Sequence, residues 1–224
     1  MNESPNDEYR ALVLKGAKAI FNSGLVQFGE GNVSVRVKKS DEFFITPSQN
    51  DYETMTIDDV VHMKMDGTQL SAGKPTSSEY KLHVAIYEAR PKVKCVIHTH
   101  SPYAGMLAVA KKELPVIFEE MVIFLGPGPV KVATYGQSGS DDLGKAVIEA
   151  MGDKNTCLMT NHAVVACGKD LEKTLKTVNL VEKMAMIYHG ALQLGHVEVL
   201  PDEQVKKFAD YFNGLFKTAP KRKA

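Results

Sequence analysis

The sequence predicts one α/β domain built on a mainly antiparallel sheet with helices packed against it. Three observations carry this. Segments with apolar residues every three or four positions are interspersed with short, alternating β-branched runs. The runs form hairpins near both ends, without the regular strand–helix–strand succession of a parallel sheet. No internal repeat or low-complexity linker divides the 224 residues, so 1–224 reads as a single domain ending in a flexible tail over 217–224.

From Tyr9 to Asn22, the pattern Leu12, Val13, Leu14, Ala17, Ile20, Phe21 gives an amphipathic helix, with Gly24 as its stop. A glycine-containing loop from Phe28 then feeds a strand in which Val33, Val35 and Val37 alternate with Ser34 and Arg36. The turn KKSDE returns the chain into its antiparallel partner, FFIT, which ends in the polar loop Thr46 to Gln49. Thr56 caps a short helical turn before VVHMKM, and Asp66-Gly67 is a turn signal.

Pro75 and the run Thr76, Ser77, Ser78 precede a helix expected to start near Ser78 and to stop at Arg90, because Pro91 cannot continue it. The strand VKCVIHTH follows. Tyr103 to Ala110 reads as helix, Leu114 to Phe118 and Val130 to Ala133 as short strands around the loop Gly126 to Pro129, and Asp141 to Met151 as a helix capped by Ser140. Two apolar runs, Cys157 to Met159 and Ala163 to Ala166, flank Asn161-His162. A long helix then carries Leu171, Leu175, Val178, Val181, Ala185 and Tyr188 at spacings of three and four.

Composition excludes several classes. Apolar residues make up 44% and charged residues 24%, as in ordinary globular chains. Lys plus Arg and Asp plus Glu balance at 27 each, so nothing draws the chain toward nucleic acid or an anionic membrane. No apolar run is long enough to span a bilayer, and the polar start MNESPNDEYR is unlike a signal peptide, which predicts a cytoplasmic protein. Cys95, Cys157 and Cys167 lie in apolar sequence without a C-x-x-C pair, as buried reduced thiols do. Gly29, Gly31, Asn32, Thr46 and Ser48 offer donors to an anion, although turn chemistry alone accounts for them nearly as well. The familiar nucleotide-binding glycine loops are absent.

The chemistry concentrates between Lys74 and His100. On a strand, side chains two apart share a face, so His98 and His100 point the same way and suit zinc or a similar metal. Thr76-x-x-Glu79 also fits a capping box, in which Glu79 does no more than satisfy a backbone N–H. His162 sits at a bend between apolar runs, where a hydrogen-bonded core histidine is the default. His62, His83, His189 and His196 read as ordinary surface or packing positions.

The ordered set GNVSVRV, ITPSQ, GKPTSSEYKLHVAIYEARP, VIHTHSPYA and TNHAVVACGKDLEKTL resembles the class II sugar-phosphate aldolase and epimerase family. The likeness runs from about Ala11 to Gly195. It implies the three-layer class II aldolase/adducin-like architecture and one Zn2+ per subunit, held by His98, His100 and His162, with Glu79 as a fourth, exchangeable ligand and proton shuttle. The implied reaction is retro-aldol cleavage of a ketose 1-phosphate, of the fuculose-1-phosphate or related deoxy-ketose type, to dihydroxyacetone phosphate and an aldehyde through a metal-stabilised enediolate. A glutamate at position 79 leans toward aldolase, since the family's epimerases carry Asp there.

The same resemblance maps Asn32, Ser48, Gln49, Ser77 and Ser78 to the substrate phosphate, with Gln49 standing where the family has glycine. The family's tyrosine acid is replaced by Phe118-Glu119-Glu120, which leaves Glu119, or Tyr211 reaching a neighbouring subunit's site, for that role. A cyclic homotetramer with intersubunit active sites is implied. Pentulose-phosphate 4-epimerase, decarboxylase and thiosugar-phosphate dehydratase activities share the metal triad, and a non-catalytic adducin-like binding module shares the fold.

Overall fold

A computed structural model describes residues 5–218. Strands β1 (Asn32–Arg36), β2 (Glu42–Ile45), β3 (Val61–Lys64), β4 (Cys95–Thr99), β5 (Val132–Ala133), β6 (Thr156–Met159) and β7 (Ala163–Gly168) form one sheet in the order β3-β2-β1-β4-β7-β6-β5. Every pairing is antiparallel except β5 with β6. The mainly antiparallel α/β fold expected from the sequence is therefore the one observed.

Strand alternation decides what lies on each face. On one side Phe43, Ile45, Met63, Val96 and Val165 pack against Leu82, Ile86, Leu143 and Val147 of helices α2 (Tyr80–Ala89) and α5 (Asp141–Met151). On the other, Val33, Val35, Phe44 and Ile97 meet Val13, Ala17 and Ile20 of helix α1 (Pro5–Asn22) and Val178 of helix α6 (Leu171–Gln193). Helices α3 (Pro102–Val109), α4 (Glu119–Leu125) and α7 (Asp202–Thr218) extend this second layer around Leu158 and Val164. The result is three layers: helices, sheet, helices.

Two expectations fail in one region. Leu114 to Phe118 is not a strand; it contributes a single bridge, Leu114 with Val130. The β-branched Val116 and Ile117 suggested a ladder, but Pro115 supplies no N–H to one. The next residues instead open helix α4, with Glu119 and Glu120 in its first turn, where the helix dipole favours negative charge. The strand expected over 130–133 shortens to Val132–Ala133. Helix α7 runs through Thr218, and the rest of the tail expected over 217–224 lies outside the described residues.

Candidate active site

The register of β1 against β4 sets Asn32 opposite His98 and Ser34 opposite Val96, all on the face that α2 covers. Across that gap α2 presents Glu79 at its N-cap, then His83 and Tyr87, each four residues on and therefore on one helical face. The helix begins at Tyr80 rather than near Ser78, and Glu79 makes no side-chain cap bond. The capping-box reading of Glu79 thus fails: its carboxylate turns into the protein, where Oε2 accepts from Asn32 Nδ2 at 2.8 Å and Oε1 from Ser138 Oγ at 2.8 Å.

His98 is fully buried in the centre of the sheet. Its Nδ1 lies 2.9 Å from the carbonyl oxygen of Val164 on β7. A carbonyl only accepts, so Nδ1 carries the proton and Nε2 carries a lone pair. That Nε2 has no hydrogen-bond partner and lies 3.3 Å from Glu79 Oε2. A lone pair facing a carboxylate in a buried site is repulsive unless a cation lies between them. Burial also pushes the His98 pKa down to about 4, keeping the ring in the neutral form that a metal requires.

The other two imidazoles come from elements flanking this strand. His100 lies just past β4, with Nδ1 4.0 Å from Glu30 Oε2. His162 sits in the short turn between β6 and β7, bracketed by Asn161 at φ 56° and Ala163 at φ 103°. A left-handed alanine is costly, and it is retained where the turn must aim a side chain inward. His162 Nε2 lies 3.1 Å from Glu79 Oε1. Ring centroids are 4.9 Å apart for His98 and His100, 4.5 Å for His98 and His162, and 5.4 Å for His100 and His162.

One ligating atom from each of the three histidines lies within 4.8 Å of the others. Three imidazole donors gathered this closely are the ligand set that zinc or a similar cation would take. The residues present therefore fit a divalent metal. For Glu79, burial opposes the charge, but the adjacent His98 and His162 and the hydrogen bonds from Ser138 and Asn32 outweigh it, holding the carboxyl below its ordinary value.

A cleft of about 530 Å3 opens onto Glu79, His100 and His162 and is lined by Asn32, Ser48, Gln49, Ser77, Ser78 and Ser138. Every residue mapped to the substrate phosphate thus faces it. Gln49 adopts φ 53°, the left-handed conformation favoured by the glycine it stands in for. Gly31 is required by geometry: at φ 65°, a side-chain carbon there would meet the carbonyl oxygen of His98 at 2.4 Å. Glu119 is exposed on α4, and Tyr211 is 62% exposed on α7; neither lines the cleft of its own chain.

Sequence reasoning missed Ser138, Ser34, His83 and Tyr87. His83 is fully buried and hydrogen-bonded through both ring nitrogens, to Ser34 Oγ at 2.6 Å and to Asn32 Oδ1. Tyr87 OH in turn lies 2.7 Å from Ser34 Oγ. The signal was present as Glu79, His83, Tyr87 at intervals of four beside Asn32 and Ser34 at an interval of two.

The class of protein that this sheet and this arrangement of imidazoles define is the class II aldolases, metal-dependent carbon–carbon lyases. Residues 11–189 match the model of the Class II Aldolase and Adducin N-terminal domain, and the chain belongs to that family. It is 30% identical over 207 residues to the 5-deoxy-D-ribulose 1-phosphate aldolase of Bacillus thuringiensis serovar kurstaki, covering 92% of this chain and 96% of that one. To the L-fuculose phosphate aldolase of Escherichia coli (strain K12) it is 32% identical over 193 residues, 84% of this chain and 88% of that one. A solved structure of L-fuculose 1-phosphate aldolase superimposes with a TM-score of 0.86 at 29% identity, covering 94% and 98% of the two chains.

Proposed function

We propose that the protein cleaves a ketose 1-phosphate, of the fuculose-1-phosphate or 5-deoxy-ketose type, to dihydroxyacetone phosphate and an aldehyde, with one Zn2+ held by His98, His100 and His162. The observation that carries this is the buried, partnerless lone pair of His98 Nε2, set among the other two imidazoles and Glu79 at the floor of a polar cleft. Imidazole donors suit zinc. When bound, the cation supplies electrophilic stabilisation for the negative charge that develops on the substrate as the bond between its third and fourth carbons breaks.

The protein's own residues supply the rest. Glu79, ionised and buried, moves the proton to or from the carbon that gains that charge. No lysine or arginine is among the residues lining the cleft, so the phosphate is held by hydrogen-bond donors on Asn32, Ser48, Gln49, Ser77 and Ser78. Glu119 and Tyr211 are the candidates to take up the hydroxyl proton as the aldehyde forms. Both are exposed outside the cleft of their own chain, so in this reading they would act in the cleft of a neighbouring subunit of a homotetramer. Among the described residues no helix is long and apolar enough to cross a membrane, and we assign the enzyme to the cytoplasm.

Metal analysis of the purified protein, followed by a panel of ketose 1-phosphates, tests the reading. One zinc per chain and equal release of dihydroxyacetone phosphate and aldehyde are expected. Interconversion of pentulose phosphates with no free aldehyde would make it an epimerase; neither zinc nor turnover would make it an adducin-like binding module.

A further inference from the structure

The hydrogen bonds behind Glu79 have only one consistent direction. An ionised carboxylate accepts only, so Asn32 must present Nδ2 to Glu79 Oε2 and turn Oδ1 away. The atom meeting Oδ1 is His83 Nε2, and because an amide oxygen only accepts, Nε2 must carry the ring proton. Burial holds His83 neutral, with its pKa down at about 3, so the ring has one N–H and Nδ1 is an acceptor. Ser34 Oγ therefore donates to Nδ1 and itself accepts from Tyr87 OH. His83, Ser34 and Tyr87 are all buried, so no competing water resets the order.

An asparagine amide can flip end for end, and nothing in its own shape prevents this. A flipped Asn32 would set Oδ1 against Glu79 Oε2, replacing a charge-assisted hydrogen bond with an oxygen–oxygen contact. His83 adds to that penalty: its Nε2–H meets Oδ1, and a flipped amide would find a partner there only if the imidazole changed tautomer and the Ser34 and Tyr87 hydroxyls reversed with it. We propose that His83 is a positioning residue of the active centre, fixing which end of the Asn32 amide faces Glu79 and so holding that carboxylate in its proton-transferring orientation. The inference rests on the aldolase reading for its catalytic consequence. Asn32 also lines the substrate cleft, so the same lock sets the amide that meets the phosphate.

The test uses the zinc-loaded full chain and the variants His83→Met, His83→Gln, Asn32→Ala and the double variant Asn32→Ala/His83→Met. His83→Met is expected to lower kcat about 10–100-fold, the usual effect of losing a group that orients the residues around a metal. Zinc content should not change, because His98, His100 and His162 are untouched. His83→Gln restores an N–H donor and should recover most of the loss. The double variant should be no slower than Asn32→Ala alone, since His83 acts only through that amide.

Wild-type kcat in a folded His83→Met, no recovery in His83→Gln, or losses that multiply in the double variant would each overturn the proposal. A readout independent of turnover is the 15N-resolved side-chain amide of Asn32, expected to be protected from exchange in the wild type and in His83→Gln and to shift and lose protection in His83→Met. Should His83→Met fail to fold, the wild type and His83→Gln decide alone: an unprotected Asn32 amide in the wild type sinks the idea. If no ketose 1-phosphate is cleaved while the amide behaves as expected, the aldolase reading falls and the positioning role stands.

Discussion

Strands β4 and β7 run side by side, and their two ends are buried alike yet chemically opposite. At one end lie His98, the turn carrying His162, and Glu79; at the other lie Cys95 and Cys167, while Cys157 on β6 stands opposite Val165 between them. Burial drives every one of these imidazoles and thiols toward its neutral form. The His98 and His83 pKa values fall to about 4 and about 3, that of Cys95 rises to about 12, and those of Cys157 and Cys167 rise as well. The difference lies in what neutrality means for each group. A neutral imidazole is a competent metal ligand, whereas a protonated thiol is an inert core residue.

The sharpest way to break the comparison is to remove a ligand from the reactive end. His98→Ala should abolish zinc binding, measured by metal analysis, and cut turnover by about a thousandfold or more. Retained stoichiometric zinc would contradict the assignment. Glu79→Gln should keep the metal on its three imidazoles while lowering kcat by roughly 100–10,000-fold, the range of general acid–base catalysis. Cleavage at the wild-type rate would remove Glu79 from proton transfer.

Acid and alkali should act on different groups, acid on His83 of α2 behind the site and alkali on Cys95 at the far end of β4. His83 has an ordinary value of 6.5 and a folded value of about 3. Between those values the unfolded chain binds a proton that the native state refuses, so stability is lost as the pH falls through that window. For Cys95 the ordinary value is 9.0 and the folded value about 12, so the native state keeps a proton that the unfolded chain releases. Stability is then lost as the pH rises from about 9 toward 12. Each flank should cost on the order of 1–3 kcal/mol in denaturant titrations of metal-free protein, and a flat profile would show these groups to be better solvated than their burial implies.

The smallest effect belongs to the inert end. Cys167→Ser buries a hydroxyl in the core and should destabilise the fold by about 1–2 kcal/mol, with zinc content and kcat unchanged. A fall in metal content in the folded variant would mean that the two ends are coupled.

The long amphipathic helices and the alternating strands were legible because burial on one face leaves a period in the sequence, as in α6 and β1. The stretch leading into helix α4 was not, since Val116 and Ile117 have strand propensity while Pro115 and the packing of Met121, Val122 and Leu125 in the helix that follows decide the outcome. At the site, His98-x-His100 suggested a metal from spacing alone, and His162 joined them only through family resemblance. No local pattern reports that a turn 60 residues away folds back onto the same strand end. Glu79 carried a false local explanation, because a capping box and a buried acid have the same spelling. His83 looked like packing because its partners, Asn32 and Ser34, are about 50 residues distant.

The hydrogen bond from His98 Nδ1 to the Val164 carbonyl has a consequence for biosynthesis. The ring is aimed by the backbone of a strand that leaves the ribosome long after β4, so the nascent chain has no finished site until β7 has docked. Once docked, the backbone bond keeps the ring oriented with or without an ion. Chelation should therefore yield an intact, reloadable apoprotein, in contrast to domains whose folding waits for their zinc.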